Sequence, residues 1–425
     1  MTPSIAITPR GPLFGTIRPP GSKSITNRAL ACAALSTGES VLTGALDSDD
    51  TRVMIDSLGR LGIDVAVDLA KRELRVQGCG GAIPRAQADL FIGNSGTTVR
   101  FLAALVALGE GTYRLDGTAR MRERPIRDLL VALGQLGADA VSEAGTDCPP
   151  VVIRASGLKG GVARVRGDVS SQFLSGLLQA APYAKSPVEL IVEGELVSKP
   201  YVTMTLDVMR AFGVDVPHDE SLARFTIPRG QYRGLRYAIE PDASAASYFF
   251  AAAAITGGEI TVAGLSRHSL QGDVGMVDLL ERMGCQVTWR EESITVRGGK
   301  LRGITADMNA ISDTVQTLSA VAIFAEGPTT ITGVPHIRHK ETDRLAAMAT
   351  ELRKLGAQVD EFADGLTITP APLHGAEIDT YDDHRMAMSM ALTGLRVPGV
   401  VIRDPGCTSK TYPEFFRDLD SLTES

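Results

Sequence analysis

A short pattern recurs along the chain at nearly constant spacing, and this repeat constrains the fold more than any other feature. In each copy a helical segment ends at a glycine and a strand-like segment follows it. The five copies are Leu61-Gly62-Ile63, Leu136-Gly137-Ala138, Phe212-Gly213-Val214, Met283-Gly284-Cys285 and Leu355-Gly356-Ala357. Their glycines are roughly 71 to 76 residues apart. A fixed period of this kind indicates a repeated structural unit.

Two further markers keep the same period. One is a β-branched strand that closes on a turn, found at Val41-Leu42-Thr43-Gly44, Arg114-Leu115-Asp116-Gly117, Val192-Glu193-Gly194, Val262-Ala263-Gly264, Ile331-Thr332-Gly333 and Val401-Ile402-Arg403-Asp404. The other is an Ala/Leu-rich helix that is apolar on nearly every side, and therefore buried, but begins with polar residues. These helix starts are Ser22-Lys23-Ser24, Asn94-Ser95-Gly96-Thr97, Ser170-Ser171-Gln172, Asp242-Ala243-Ser244, Ser312-Asp313 and Asp383-His384-Arg385.

Strands that alternate with helices, over helices that are buried, predict an α/β fold. Six units in 425 residues indicate two domains of three units each. An N-terminal hairpin from Ile5 to Ile17 precedes the first unit, and we expect it to join the C-terminal set. The chain would then cross between domains near Pro19–Gly21 and near Glu240–Pro241. The predicted domains are residues 21–240 and residues 1–20 plus 241–425.

The composition excludes several classes of protein. A net charge of −7 argues against non-specific nucleic-acid binding. No apolar run reaches the roughly 18 residues of a membrane span, and the first residues do not form a signal sequence. Five cysteines without a CxxC pair indicate reduced thiols, and the histidines do not cluster at metal-ligand spacing. We expect a cytoplasmic protein without a metal, and a monomer because each domain completes its own shell.

The loops after the marker strands are rich in cations and hydroxyl groups. They are residues 119–125 (ARMRERP), 196–201 (LVSKPY), 336–344 (HIRHKETDR) and 407–411 (CTSKT). If the units superimpose, equivalent loops point the same way and their cations face one cleft between the domains, a favoured place for a small-molecule site. An acidic protein that concentrates Lys and Arg in a cleft suits an anionic substrate.

Plainer interpretations exist for some of these charges. Arg120, Arg122 and Arg338 fit a solvated charge run. Asp242, Asp313 and Asp383 fit helix N-caps, which is the role we favour for Asp242.

The first helix start carries the same two interpretations. Residues 20–28 (PGSKSITNR) suit a phosphate or carboxylate, or form an ordinary N-cap. They are not a nucleotide P-loop, because Ser22 stands where that motif needs glycine.

Six segments, in order, closely resemble the EPSP synthase (3-phosphoshikimate 1-carboxyvinyltransferase) family, and the resemblance runs from about Ile5 to Phe416. The segments are residues 20–28, Gly93-Asn94-Ser95-Gly96-Thr97, Arg122-Glu123-Arg124-Pro125-Ile126, Ser170-Ser171-Gln172-Phe173, Lys340-Glu341-Thr342-Asp343-Arg344 and Asp383-His384-Arg385-Met386-Ala387. The resemblance implies two inside-out α/β barrels, each of three βαβαββ units, with the active site in the cleft between them. It also implies cofactor-free transfer of the enolpyruvyl group of phosphoenolpyruvate to the 5-hydroxyl of shikimate 3-phosphate. The transfer would pass through a tetrahedral intermediate, in the pathway to chorismate and the aromatic amino acids.

The same resemblance implies roles for individual residues. The phosphoshikimate ligands would be Lys23, Ser24, Arg28, Ser170, Ser171, Gln172, Ser198, Tyr201, Asp313, His336 and Lys340. The phosphoenolpyruvate ligands would be Lys23, Asn94, Gly96, Arg124, Gln172, Glu341, Arg344, His384, Arg385 and Lys410. The substrates together carry about six negative charges, which explains the need for so many cations.

Addition and elimination each need a proton donor and a proton acceptor, and the candidates are Asp313, Glu341 and Lys23. We expect Glu341 to move a proton to and from the methylene carbon. Asp313 is expected to bind the shikimate hydroxyls and to take part in deprotonation.

Two positions depart from the family pattern. His336 stands where close relatives usually have an asparagine. Phe101 stands where many have a proline, a change that could shift the helix that carries Gly96. Gly96 and Thr97 otherwise match the glyphosate-sensitive class.

Cations from both domains would repel each other without ligand. We therefore expect an open free state that closes on phosphoshikimate.

Two alternative functions stay open at this point. The first is the sister transferase that acts on UDP-N-acetylglucosamine, which uses a cysteine in the loop where this chain has residues 119–125 without one. The second is a non-catalytic protein that binds phosphorylated metabolites, which would need the cations but not Asp313 and Glu341.

Overall fold

The computed structural model describes residues 3–424. The α-helices in this range are α1 Lys23–Leu35, α2 Asp49–Arg60, α3 Gly96–Val106, α4 Arg127–Gln135, α5 Ser171–Ala180, α6 Lys199–Ala211, α7 Ala243–Thr256, α8 Met276–Met283, α9 Val315–Ala322, α10 Arg344–Lys354, α11 His384–Gly394 and α12 Phe415–Asp420. Short 3-10 helices occur at Met121–Glu123, Ala181–Tyr183, Gly272–Gly275, Asn309–Thr314, Pro335–His339 and Pro405–Lys410.

The strands of the same range are short, and most stand between helices. They are β1 Ser4–Ala6, β2 Leu13–Ile17, β3 Glu39–Thr43, β4 Val65–Asp68, β5 Glu73–Gln77, β6 Gln87–Phe91, β7 Glu110–Asp116, β8 Asp139–Ser142, β9 Val151–Ser156, β10 Gly161–Arg166, β11 Val188–Glu193, β12 Arg224–Ile227, β13 Arg236–Ala238, β14 Glu259–Ala263, β15 Gln286–Trp289, β16 Ser293–Arg297, β17 Thr305–Asp307, β18 Thr329–Thr332, β19 Gln358–Phe362, β20 Gly365–Thr369, β21 Glu377–Ile378, β22 Val401–Arg403 and β23 Thr423–Glu424. This alternation confirms the predicted α/β class.

Contacts within the described chain separate two compact units. One is Gly21–Ile239, called here the inserted unit. The other consists of residues 3–20 and 240–424 and is called the discontinuous unit.

The inserted unit contains three sheets, with strand orders β13-β3-β5-β4, β6-β7-β9-β8 and β10-β11-β12. Each sheet has a parallel first pair and antiparallel pairs after it. The second repeat shows the full pattern: β6, α3, β7, α4, β8 and β9 form one βαβαββ unit. The first repeat differs, because its parallel first strand, β13, comes from the end of the unit.

The discontinuous unit repeats this design, with sheets β15-β16-β14-β2-β23, β17-β18-β20-β19 and β1-β22-β21. Strand β2 runs parallel to β14 and therefore supplies the first strand of the fourth repeat. The remaining parallel pairs are β17 with β18 and β21 with β22.

The N-terminal residues join the C-terminal set, but the predicted hairpin of Ile5 to Ile17 is wrong. Strand β1 pairs with β22, and β2 pairs with β14 and β23, so the two N-terminal strands lie in different sheets. The link between them contains Pro9 and Pro12, which cannot donate to a ladder. Two backbone amides of the link donate outside it, Ile7 to the Val400 carbonyl and Arg10 to the Leu395 carbonyl.

The Ala/Leu-rich helices are buried, as their uniform apolar character predicts. Every residue of α3, α7 and α11 is buried, and α1 and α5 are buried except for one residue each. Helices α7, α9 and α11 contact one another, and α3 contacts α1 and α5. Small alanine side chains allow such close packing.

Polar residues cap most of these buried helices. The side chains of Ser22, Ser95, Ser170, Asp242 and Asp383 each accept a hydrogen bond from a first-turn amide. Asp242 is therefore the N-cap that the sequence predicts. Helix α9 is different: it follows the 3-10 helix Asn309–Thr314 and has no side-chain cap, so Asp313 is not an N-cap. Its carboxylate is available for other contacts.

None of the helices formed by residues 3–424 combines the length and the apolar character needed to span a bilayer.

Replacing Leu13 tests how much the N-terminal strand contributes to the discontinuous unit. Leu13 lies in β2 and is buried in that unit's core. We expect Leu13→Ala to lower the free energy of unfolding by about 3 kcal/mol, because the deletion leaves a cavity between β2 and its neighbours. Urea titration followed by circular dichroism measures the change. The matched control is Leu69→Ala, whose side chain is 60% exposed. A loss as small as the control's would contradict the placement of β2.

Candidate active site

In each unit, cationic side chains lie at or near the starts of buried helices, and each of these two sets is called a cluster here. Lys23, the first residue of α1, belongs to the cluster of the inserted unit. Its ammonium lies 3.6 Å from the Oδ2 atom of Asp50, near the start of α2. The side chain of Ser22 accepts a hydrogen bond from the Ile25 amide at 3.4 Å. The first helix start is therefore a cap and, through Lys23, also carries a cation.

Arg28 is the most buried cation of this cluster, with only 1% of its surface exposed. Its Nε donates to the Thr205 Oγ1 atom at 2.7 Å, and its Nη atoms donate to the carbonyls of Ser24 and Tyr201 and to the Ser175 hydroxyl. Among the described residues, each of these acceptors is a neutral oxygen. Burial lowers the pKa of Arg28 to about 10, which still leaves it charged at neutral pH. A buried cation without a carboxylate partner is well suited to receive an anionic ligand.

Two aromatic rings lie close to this guanidinium. Its Cζ atom is 5.3 Å from the centre of the Phe101 ring and 5.8 Å from that of Tyr201. Rings at this distance attract a cation. Phe101 lies inside α3, which runs without interruption from Gly96 to Val106. Phe101, which departs from the family pattern, therefore packs against Arg28.

Arg124 and Gln172 are each held by a residue close to Gly96 in sequence, Arg124 by Asn94 and Gln172 by Thr97. The Arg124 Nη1 atom donates to the Asn94 carbonyl at 2.9 Å and to its side-chain oxygen at 3.2 Å. The side-chain Nε2 atom of Gln172 donates to the Thr97 hydroxyl at 3.0 Å. A Cβ atom on Gly96 would lie 2.6 Å from the Arg100 Nη1 atom and would also collide with the Arg124 guanidinium. Only glycine fits at this position without moving a cation.

Arg100 joins these groups, although the sequence analysis did not select it. Its guanidinium donates to the Gln172 side-chain oxygen at 2.7 Å, the Gly96 carbonyl at 3.3 Å and the Pro125 carbonyl at 3.2 Å. The sequence spacing indicates this contact, because Arg100 lies four residues after Gly96 and helical side chains point back toward the preceding turn.

The predicted serines lie at two further helix starts of the inserted unit. Ser170 caps α5 by accepting from the Gln172 amide at 3.3 Å, and Ser171 is the buried first residue of that helix. Ser198 precedes α6 with a φ of 54°, in the left-handed region. Non-glycine residues in that conformation concentrate at functional sites.

Arg344 is the centre of the cluster in the discontinuous unit, and only 1% of it is exposed. Its Nε atom lies 2.8 Å from the Asp383 Oδ2 atom, and its Nη atoms lie 2.8 Å from Glu341 and 3.3 Å from Asp313. Burial alone would lower the pKa of Arg344, but the three carboxylates outweigh burial and raise it. Asp383 was assigned no ligand role in the sequence analysis, yet it caps α11 and also pairs with this arginine.

The two predicted acid–base carboxylates each face more than one cation. Asp313 lies 2.7 Å from the Arg385 Nη2 atom, 3.3 Å from Arg344 and 3.8 Å from the Lys340 ammonium. Glu341 lies 2.8 Å from Arg344 and 3.5 Å from the Lys410 ammonium. The structure thus brings together six of the residues predicted for this unit: Asp313, Lys340, Glu341, Arg344, Arg385 and Lys410.

The two predicted histidines are deeply buried. Burial, followed by the Lys340 ammonium, lowers the pKa of His336 to about 3, so its ring is neutral. The His384 side chain is fully buried, with its Nδ1 atom 3.6 Å from the Asp383 Oδ1 atom. The His336 ring therefore does not contribute a positive charge of the kind that Lys340 and Arg385 provide.

Other charges singled out in the sequence form ion pairs at or near the surface. Arg120 pairs with Glu123, Arg122 with Asp116, and Arg338 with Asp343 and Glu361. These pairs agree with the plainer interpretation of the three arginines. Within residues 3–424 no group of three or more His, Cys, Asp or Glu side chains is placed to hold a metal ion.

The low pKa of His336 predicts a pH-dependent stability. Its ordinary pKa is 6.5 and the folded value is about 3, so between these values the unfolded chain binds a proton that the folded chain does not. Stability therefore falls as the pH drops below 6.5. From about pH 7.5 to pH 5.5 the wild type should lose about 1 kcal/mol more than His336→Asn. Urea titrations of both proteins at the two pH values measure this. Equal losses would show that His336 is not held neutral.

Known proteins of one family resemble this chain over nearly its whole length. The family model described as EPSP synthase (3-phosphoshikimate 1-carboxyvinyltransferase) matches residues 7–419. Proteins named 3-phosphoshikimate 1-carboxyvinyltransferase include one from Nostoc punctiforme, 51% identical over 97% of each chain, and one from Vibrio atlanticus, 48% identical over 99% of each chain. The solved structure of EPSP synthase from Acinetobacter baumannii has a TM-score of 0.82 at 25% identity and covers 99% of each chain. An enolpyruvyl transferase structure, NikO from Streptomyces tendae, has a TM-score of 0.79 at 21% identity and shares the fold, covering all of this chain and 99% of its own. The chain belongs to the EPSP synthase family.

Proposed function

We propose that the two cationic clusters bind the two substrates of the family reaction, the transfer of the carboxyvinyl group of phosphoenolpyruvate to shikimate 3-phosphate. The observation that carries the proposal is the surrounding of Asp313 and Glu341. Each carboxylate is fixed by two or more cations of the same cluster. Anion binding alone would need the cations but not these two carboxylates among them.

Phosphoshikimate carries a phosphate and a carboxylate, and we assign most of its ligands to the inserted unit. Arg28 supports this assignment, because a buried guanidinium with neutral acceptors gains an ionic partner when such a ligand binds. The proposed ligands are Lys23, Ser24, Arg28, Ser170, Ser171, Gln172, Ser198, Tyr201, Asp313, His336 and Lys340. His336, being neutral, would act only through hydrogen bonds.

Phosphoenolpyruvate needs several cations in a small space. Arg124, Arg344, Arg385 and Lys410 are all buried, and arginine offers the bidentate geometry that phosphate and carboxylate accept. The other proposed ligands are Lys23, Asn94, Gly96, Gln172, Glu341 and His384. The His384 side chain is buried, so the proposal places its backbone at the start of α11 toward the ligand.

The reaction needs balanced proton transfers. In the addition step the 5-hydroxyl oxygen bonds to C2 of phosphoenolpyruvate, loses its proton to a base, and C3 gains a proton from an acid. In the elimination step C3 loses a proton and the C2–O bond to phosphate breaks. We assign the C3 proton to Glu341, and hydroxyl binding and deprotonation to Asp313, with Lys23 as a third candidate.

The first experiment measures phosphate release from phosphoshikimate plus phosphoenolpyruvate. We expect Glu341→Gln and Asp313→Asn to lower kcat by about 10²- to 10⁴-fold, because general acid–base catalysis contributes that much. The matched control is Glu414→Gln, which removes a carboxylate from an exposed pair with Arg417 and should leave kcat unchanged. Loss of activity in the control, or full activity in Glu341→Gln, would contradict the assignment.

The second experiment replaces Gly96. In Gly96→Ala the new methyl group collides with the Arg124 and Arg100 guanidinium groups and displaces them. We expect kcat/KM for phosphoenolpyruvate to fall on the order of 10- to 100-fold, while KM for phosphoshikimate stays within twofold. Gly134→Ala is the control, because a Cβ atom there meets nothing within 4 Å. A Gly96→Ala enzyme with normal phosphoenolpyruvate kinetics would argue against this position for the substrate.

The two alternatives are separated by the same measurements. A metabolite-binding protein would bind phosphoshikimate but release no phosphate. The sister transferase would use UDP-N-acetylglucosamine as acceptor, and residues 119–125 lack the cysteine on which it depends.

We further propose a cytoplasmic monomer. The free cysteines of the described residues support the first point. The three sheets that each unit forms from its own strands support the second point.

A further inference from the structure

A strained turn lies immediately before α11. Tyr381 and Asp382 are consecutive and have φ angles of 55° and 53°. Non-glycine residues rarely adopt this left-handed conformation, and two in sequence persist only where surrounding contacts enforce it. The structure therefore needs a restraint at this turn.

The turn sets the position of Asp383. This residue follows the turn directly, its amide donates to the Thr380 carbonyl, and its carboxylate accepts from the Arg385 amide at 2.9 Å. The same carboxylate lies 2.8 Å from the Arg344 Nε atom. Any relaxation of the turn would move the carboxylate that fixes the Arg344 guanidinium.

The restraint comes from Glu351 on α10, which is 0% exposed. Its carboxylate accepts from the Tyr381 hydroxyl at 2.6 Å and from the Asp379 amide at 3.1 Å. The Lys354 ammonium, 2.9 Å away, balances its charge and also contacts Asp379 at 2.8 Å.

Helix α10 is thus joined to one segment of chain at two points. Arg344 is its first residue and meets Asp383, whereas Glu351 lies seven residues later and meets Tyr381. Seven residues of α-helix span about 10 Å. A segment held at two points this far apart cannot rotate about either one.

We propose that Tyr381 and Glu351 are positioning residues, which hold the strained turn against α10 so that Asp383 fixes Arg344 for phosphoenolpyruvate. The proposal rests on the function proposed above, in which Arg344 is a ligand of that substrate. Tyr381 and Glu351 touch neither substrate and act through Asp383. Tyr381 is 39% exposed, so the ring can be changed without opening the core.

The test compares Tyr381→Phe with wild type in the phosphate-release assay. Losing the hydroxyl frees the turn, so KM for phosphoenolpyruvate should rise about 3- to 10-fold, while KM for phosphoshikimate and kcat stay within twofold. Tyr113→Phe is the control. It removes a hydroxyl that donates to the Arg85 carbonyl at 2.7 Å in the inserted unit, and it should leave both KM values unchanged.

A second variant separates positioning from general loss of stability. Glycine adopts the left-handed conformation without strain, so Asp382→Gly removes the strain at one of the two residues and weakens the need for the restraint. In the Asp382→Gly background, Tyr381→Phe should therefore change KM for phosphoenolpyruvate less than it does in wild type. An equal effect in both backgrounds would overturn the proposal, as would a parallel rise of both KM values.

Amide hydrogen exchange gives a readout that does not depend on activity. Tyr381→Phe should speed exchange in residues 379–385 and leave α7 unchanged. Faster exchange with an unchanged KM for phosphoenolpyruvate would show that the Tyr381–Glu351 hydrogen bond only stabilises the turn, and would overturn the proposal. Unchanged exchange would overturn it as well. If wild type released no phosphate, the proposed function would fail, and exchange would still decide whether Tyr381 holds the turn.

Discussion

The cluster of the discontinuous unit depends on the charge of one buried guanidinium. Arg344 is almost fully buried, and the carboxylates of Asp383, Glu341 and Asp313 stabilise its charge. These partners come from the start of α11, the residues before α10 and the 3-10 helix before α9. Removing one partner of a buried pair typically costs about 3–5 kcal/mol. The contacts that arrange the proposed acid–base groups therefore also hold three helix starts together.

The inserted unit treats its deepest cation differently. Arg28 is as buried as Arg344, but it donates to hydroxyl and carbonyl oxygens and lies beside two aromatic rings. Neutral acceptors keep the guanidinium in place without neutralising it. The discontinuous unit thus presents cations that are paired with carboxylates, and the inserted unit presents a buried cation whose acceptors are neutral, which favours an incoming anion.

Periodicity made most of the fold predictable. The repeated glycines and the polar helix starts mark the elements of each unit, and those elements are where the sequence places them. The hairpin prediction is wrong because neighbouring strands in sequence need not pair. Strands β1 and β2 each join a sheet whose other strands lie far along the chain. Local spacing contains no information about such distant partners.

The motif residues of the candidate site were predictable from the sequence, but the residues that hold them in place were not. Motif residues such as Asp313, Glu341 and Arg344 do lie together, because they stand at equivalent ends of repeated units. Arg100, Asp50 and Asp383 were not selected as ligands, since each acts through another residue: Gln172, Lys23 and Arg344. An acidic residue early in a helix has the same local sequence whether it caps, pairs or does both, so only the fold distinguishes these roles.

The parallel pairing of β2 with β14 has a consequence for the order in which the protein can be built. During synthesis β2 leaves the ribosome first, but its partner begins only at Glu259, after all of Gly21–Ile239 has emerged. The inserted unit contains its own closing strand, β13, and is complete in sequence before β14 exists. Until then β2 has no partner strand from its own sheet, whereas the inserted unit already contains every strand of its three sheets. The N-terminal strand therefore pairs only after the C-terminal half has begun to emerge, and until then the edges of sheets to which it does not belong compete for it.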